Sequence, residues 1–125
     1  LKRGIGMELV KTYEEYNELN KEYVKYIQMV MESDISNHDN IIMNNLENYS
    51  NLFEDLKLRC DKIEVEEKDI NNLRDLNYLA LDTLFLTMDL KNFYKLGESE
   101  RFKMRAVNYI NKRNRGQGFS GCPLH

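Results

Sequence analysis

Apolar residues recur along this chain at alternating steps of three and four, the spacing that lines side chains along one stripe of an α-helix. The first stripe consists of Leu9, Tyr13, Tyr16, Tyr23, Ile27 and Val30. The second consists of Ile42, Leu46, Tyr49, Phe53, Leu56, Cys60 and Ile63. Such stripes are buried when helices pack together, so they predict a helix over residues 7–32 and another that ends near residue 63.

The segment between these helices, SDISNHDN, is rich in turn and cap residues. Within it, Ser36 and Asp39 have the spacing of a capping box. A second charged segment, residues 64–69, is interpreted as the next turn. Two turns between periodic segments predict that successive helices run antiparallel.

A third helix is predicted over residues 70–96, and from Leu76 onward it is apolar on nearly every side. A helix of this kind is either central in a bundle or exposes a second face to a partner. Gly97 is its expected C-terminal cap. Ser99 is the expected N-cap of a shorter fourth helix over residues 100–112.

No long stretch alternates with period two, and no Asn-Gly or Asp-Gly hairpin turn occurs. We therefore predict one all-α domain over residues 7–112, an elongated antiparallel bundle of three long helices plus a short fourth. Residues 113–125, RNRGQGFSGCPLH, are expected to form an irregular, flexible tail. Residues 1–6 are interpreted as an expression or processing remnant, the alternative being that the chain is a fragment.

Charge is divided unevenly along the chain. Residues 1–98 hold 12 Lys/Arg and 20 Asp/Glu, a net of −8, and residues 99–125 hold six and one, a net of +5. One interpretation is a nucleic-acid contact through Arg101, Lys103, Arg105, Lys112, Arg113 and Arg115. We favour the alternative that these side chains pair with the acidic body, because an acidic domain repels a phosphate backbone.

Asp82 and Asp89 lie seven residues apart on one stripe of the most apolar helix. They are either buried acids or the single edge of that helix that faces solvent. We favour the edge, because buried unpaired carboxylates are rare.

No constellation for catalysis or metal binding is evident. The chain has two histidines, His38 in a turn and His125 at the last position, and neither is placed as a catalytic base usually is. Cys122 and His125 have a metal-like spacing, but a structural zinc site needs four ligands. We expect no enzymatic activity, cofactor, metal or small-molecule substrate; a thiol-redox protein centred on Cys122 is the enzymatic alternative.

The tyrosines of the first helix are the stronger sign of a binding surface, because tyrosine is favoured at interfaces. Leu19, Tyr26 and Met29 widen the apolar face beyond the strict stripe, and Asn20 places a polar group within it. This pattern predicts that another helix, of the same chain or another, packs here. The predicted partner-binding residues are Leu19, Tyr23, Tyr26 and Met29 on the helix, with Arg113, Arg115, Phe119 and Leu124 in a docking tail.

Together these features predict a small intracellular, cytoplasmic interaction module, such as an adaptor, chaperone-like, regulatory or assembly subunit. It would bind a protein partner, or a second copy, through helix faces and its C-terminal tail. The alternatives are a nucleic-acid-associated regulator that uses the basic end and, more remotely, a leader domain with a modified tail. No apolar run is long enough to span a bilayer, and no signal peptide is recognisable at the start.

Overall fold

The computed structural model describes the backbone of residues 2–35 and 38–119 and the side chains of residues 6–35 and 38–115. Over that part of the chain the fold is all-α, without strands, as predicted. The four helices are α1 (Lys2–Glu32), α2 (Asn40–Asp61), α3 (Ile70–Lys95) and α4 (Ser99–Phe119), with a one-turn 3-10 helix at Glu67–Asp69.

Cross-helix pairs show that successive helices run antiparallel. Between α1 and α2, Glu22 pairs with Tyr49 and Glu15 with Arg59, so residue numbers rise on one helix as they fall on the other. The same relation joins α2 to α3 and α3 to α4. Because α3 packs against both α2 and α4, it lies between them.

The stripes predicted on α1 and α2 form the core. Cys60 lies in this core as an unpaired thiol, and burial raises its pKa to about 11, so it stays protonated at neutral pH and behaves as a small apolar side chain. Ile42 and Tyr49 are half-buried at the edge of the core. The fully buried members of the two stripes are Leu9, Tyr13, Tyr16, Tyr23, Ile27, Val30, Leu46, Phe53, Leu56, Cys60 and Ile63.

The helix ends follow from local capping chemistry. Asp39 is the N-cap of α2, and its Oδ1 accepts a hydrogen bond from the amide of Ile41 at 2.8 Å. Gly97 ends α3 with a φ of 70°, and the bonds from the Gly97 amide to the Tyr94 carbonyl and from Glu98 to Phe93 form a Schellman motif. The predicted Gly97 cap is confirmed. Ser99, in contrast, is the first residue of α4, and Ser36 lies outside the described residues.

Two helix ends differ from the prediction. α1 begins at Lys2, five residues before the predicted start, and residues 2–6 contain no proline that would interrupt it. α4 continues seven residues beyond Lys112, so the expectation of an irregular tail is wrong for residues 113–119. Arg113 continues the α3-facing row of Phe102, Ala106 and Tyr109, and the two glycines that follow cost a helix only about 1 kcal/mol each. Residues 120–125, with Cys122, Leu124 and His125, lie outside the described residues.

Candidate interaction surface

The aromatic face predicted on α1 is the contact between α1 and α2. The ring of Tyr49 lies 4.7 Å from that of Tyr23 and 5.5 Å from that of Tyr26, measured between centroids. The Tyr26 hydroxyl accepts a hydrogen bond from Asn45 at 3.0 Å, and the Tyr49 hydroxyl donates to Glu22 at 3.0 Å. The additional helix that this face predicted is therefore α2 of the same chain.

This packing corrects the predicted partner residues on α1. Tyr23 is fully buried, so no partner reaches it while the bundle stays folded. Leu19 and Tyr26 are half-buried against the core, whereas Met29 keeps 57% of its surface exposed. The width of an apolar face can be read from a sequence, but whether the covering helix belongs to the same chain cannot.

Arg113, predicted as part of a free tail, instead links α4 to α3 by hydrogen bonds. Its Nη2 atom donates to the carboxylate of Asp82 at 3.0 Å and to the carbonyl of Leu79 at 3.2 Å. Its Nε atom donates to the Tyr109 hydroxyl at 3.1 Å. With only 12% of its side chain exposed, Arg113 is a structural residue and does not steer a partner.

The other basic residues of α4 largely pair with the acidic body, as the favoured interpretation expected. Lys112 reaches Asp82 at 3.0 Å and Arg105 reaches Asp89 at 2.8 Å, while Arg101 lies 3.6 Å from Glu98. Lys103 and Arg115 are exposed. Four of the six basic residues thus have an acidic partner within the fold, which weakens the nucleic-acid interpretation.

The same ion pairs correct the interpretation of the two aspartates in part. Both aspartates lie on the edge of α3 that faces α4; Asp89 keeps 48% of its side chain exposed, in line with the favoured solvent-facing edge, whereas Asp82 does not. Asp82 keeps only 16% of its side chain exposed, but it is compensated by two cations.

A chain of buried hydroxyls joins α1, α3 and α4. The Thr83 hydroxyl lies 2.8 Å from the Tyr16 hydroxyl and 2.7 Å from the Tyr109 hydroxyl, and Tyr109 donates to Oδ1 of Asn20. Tyr16 can donate to Thr83, Thr83 can donate either to Tyr109 or to the Leu79 carbonyl at 2.9 Å in its own helix, and Tyr109 donates to Asn20. The polar residue in the α1 stripe thus finds its partner on α4, and the network favours one register of the three helices.

Burial also protects two of the tyrosine hydroxyls from ionisation. Desolvation raises the pKa of Tyr16 well above its ordinary value, and it raises that of Tyr23 as well. The Tyr23 hydroxyl faces Thr87 without a well-formed hydrogen bond. Both tyrosines therefore remain neutral up to strongly alkaline pH in the folded protein.

The side of α3 away from the core carries a row of apolar side chains that the sequence analysis did not single out. Tyr78, Phe85 and Met88 keep 57%, 52% and 51% of their surface exposed. Leu81 lies in the same row and is half-buried. We call Tyr78, Leu81, Phe85 and Met88 the outer α3 stripe; at 1.5 Å per residue it is about 15 Å long. The sequence feature that could have revealed this exposed row is that α3 is apolar on nearly every side.

Ion pairs line the borders of the outer α3 stripe. Between residues 76 and 90 the only charged residues are Asp82 and Asp89, and both pair with α4. On the opposite border, Lys91 pairs with Glu47 of α2. The stripe is thus an apolar strip between two rows of ion pairs.

Other classes of site find little support in the part of the chain that the structure describes. There, no three His, Cys, Asp or Glu side chains converge as metal ligands do. The helices in those same residues are too polar or too short in their apolar runs to cross a bilayer.

Comparisons with known proteins do not assign this arrangement. A scan against models of protein families, a search of curated proteins and a search of solved structures each gave no significant match. The outer α3 stripe must therefore be interpreted from its own chemistry.

Proposed function

We propose that this protein is an interaction module that binds an amphipathic helix of a protein partner along the outer α3 stripe. The observation that carries the proposal is the row of Tyr78, Leu81, Phe85 and Met88, with three members about half exposed on one helix face. Apolar side chains grouped in this way are typical of docking sites, whereas scattered ones are ordinary surface.

The chemistry of the stripe defines the partner. Its members follow steps of three, four and three, which match the apolar positions of a helix laid alongside. Aromatic residues and methionine are enriched at such contacts, because they bury a large area and adapt their shape. A partner helix with apolar side chains at the same spacing and few charges on that face fits best.

The predicted tail takes a smaller part in this proposal. Because α4 is helical to Phe119, the prediction of an extended docking peptide no longer applies to residues 113–119. Arg115 remains exposed on α4, unlike Arg113, which is held against α3 by its hydrogen bond to Asp82. The contribution of Arg115, Phe119 and Leu124 to binding stays a prediction.

Site-specific photo-crosslinking in the source cells tests the proposal. A benzophenone amino acid replaces Phe85 in one variant and Leu52 in the other; Leu52 is 49% exposed on α2 and serves as the matched control. We expect a discrete adduct from position 85, identified by mass spectrometry, and none from position 52. Equal labelling at both positions, or no adduct at position 85, would contradict the proposal.

A further inference from the structure

We infer that the partner on the outer α3 stripe is a second copy of this chain, packed with its α3 antiparallel across a two-fold axis. The inference rests on the proposed function above and names the occupant of the same surface. It is carried by the spacing of the stripe, by the residue types that this spacing brings opposite one another, and by the charge along its borders.

The spacing of the stripe reads the same in both directions. From Arg74 through Tyr78, Leu81, Phe85 and Met88 to Asn92, the steps are four, three, four, three and four. A two-fold axis that crosses the stripe at its middle therefore superposes each position on another position of the same row. A self-complementary patch is what a two-fold dimer requires.

The residues that meet in this arrangement differ in shape and complement one another. Tyr78 lies opposite Met88 of the second copy, and Leu81 lies opposite Phe85. Each layer thus joins one aromatic ring to one aliphatic side chain, and the outer layers allow sulfur–aromatic contacts. A parallel arrangement would instead stack each residue on its own copy.

Charge favours the antiparallel copy in two ways. At the ends of the row, the exposed Arg74 lies opposite the neutral Asn92, whereas a parallel pair would bring two Arg74 side chains together. Along the borders, Asp82 is paired with both Lys112 and Arg113, Asp89 with Arg105, and Glu47 with Lys91. The net charge of −3 on each chain is therefore not concentrated at this contact, where each of these carboxylates has a cation beside it.

The first test measures the mass of the full chain in solution over a range of concentrations by sedimentation equilibrium. We expect twice the chain mass of 14.9 kDa at high concentration. Phe85→Glu buries an unpaired charge in the contact and should raise the dimer dissociation constant about 100-fold. Leu52→Glu, at a comparably exposed site on α2, should leave it unchanged, with circular dichroism checking that both variants stay helical.

The second test reports the orientation. In a Cys122→Ser background, one chain carries Tyr78→Cys and the other Met88→Cys, and the two are mixed under mild oxidation. We expect a disulfide between the two different variants in preference to either symmetric disulfide. Symmetric disulfides in place of the mixed one would overturn the antiparallel arrangement.

The outcomes separate this inference from the proposed function. A chain that stays at 14.9 kDa at every concentration overturns the second copy as occupant. If position 85 still crosslinks to a different protein, the proposed function stands and only the identity of the partner is wrong. If the chain is monomeric and position 85 gives no adduct, both fail.

Discussion

The two faces of α3 reverse the usual distribution of polar groups. The inner face, which is buried by α1, α2 and α4, contains two threonine hydroxyls, Thr83 and Thr87, among its apolar side chains. The outer face has the apolar stripe, with polar residues only at its ends. Polarity alone therefore does not decide which face of such a helix turns inward.

Hydrogen-bond partners explain the difference. The Thr83 hydroxyl lies between Tyr16 of α1 and Tyr109 of α4, so turning it outward would leave those two hydroxyls buried without that contact. The outer stripe makes no such demand, because apolar side chains are stabilised by any surface that removes them from water. The inner face thus specifies the fold, and the outer face stays exposed in the single chain.

The clearest test of the difference between the inner and outer faces of α3 uses two neighbouring residues. Leu86→Ala should lower the free energy of unfolding by about 2–5 kcal/mol, because it opens a cavity in the fully buried inner face. Phe85→Ala, half-exposed on the outer face, should change it by less than about 1 kcal/mol in dilute protein. Urea unfolding of both variants at low concentration decides, and equal losses would mean that the two faces are not distinct.

The hydroxyl chain provides the second prediction. Thr83→Val keeps the shape of the side chain but leaves the Tyr16 hydroxyl buried without its partner, which should cost about 2 kcal/mol. Thr87→Val is the matched control: both hydroxyls bond to the carbonyl four residues earlier, but Thr83 also contacts two tyrosine hydroxyls, so Thr87→Val should cost less. Urea unfolding measures both, and a larger loss for Thr87→Val would contradict the role given to the network.

Alkaline pH tests the same face without a mutation. The pKa of both Tyr16 and Tyr23 is raised in the folded protein, so above pH 10 the unfolded chain releases protons that the folded chain keeps. Their stabilising contribution is complete below pH 10 and is lost as the pH rises further, by about 2 kcal/mol for the pair by pH 11. Urea unfolding at a series of pH values should show this loss, and Tyr16→Phe should reduce it. A slope unchanged by that substitution would argue against Tyr16 as its source.

Removal of the contact between Arg113 and Asp82 at the edge of α3 should have the smallest effect on stability. Arg113→Met removes one of the two cations that compensate Asp82 and should cost about 1–2 kcal/mol. Arg115→Met changes an exposed residue of the same helix and should stay within about 0.5 kcal/mol of the parent. Thermal unfolding of both variants measures the difference. Indistinguishable curves would mean that Arg113 does not stabilise the contact between α4 and α3.

Some of this structure follows from the sequence alone. The stripes of α1 and α2 and the Gly97 cap could be predicted because each rests on a local pattern, either a helical period or a residue that tolerates positive φ. The length of α4 could not, because Arg113 extends the helix through contacts with Asp82 and Leu79, more than thirty residues earlier in the chain.

The candidate site shows the same limit. In a segment that is apolar on nearly every side, Thr83 and Phe85 are equally plausible inward positions until Tyr16 and Tyr109 are placed beside Thr83. On the face of α1 around Tyr26, a second helix packs as predicted, but the sequence could not show that this helix, α2, belongs to the same chain. Sequence periodicity finds apolar faces, whereas only the assembled bundle shows which of them stays uncovered.

The methionine methyl groups offer the most direct test that the outer α3 stripe is the surface of association. Met88 lies in the stripe, Met29 lies on the α1 face predicted from sequence, and Met104 is an exposed control on α4. We expect the 13C-methyl NMR signal of Met88 to shift or broaden as the full chain is concentrated, while those of Met29 and Met104 stay fixed. A shift of Met29 with Met88 unchanged would return the site to α1, and three fixed signals would contradict self-association through the outer α3 stripe.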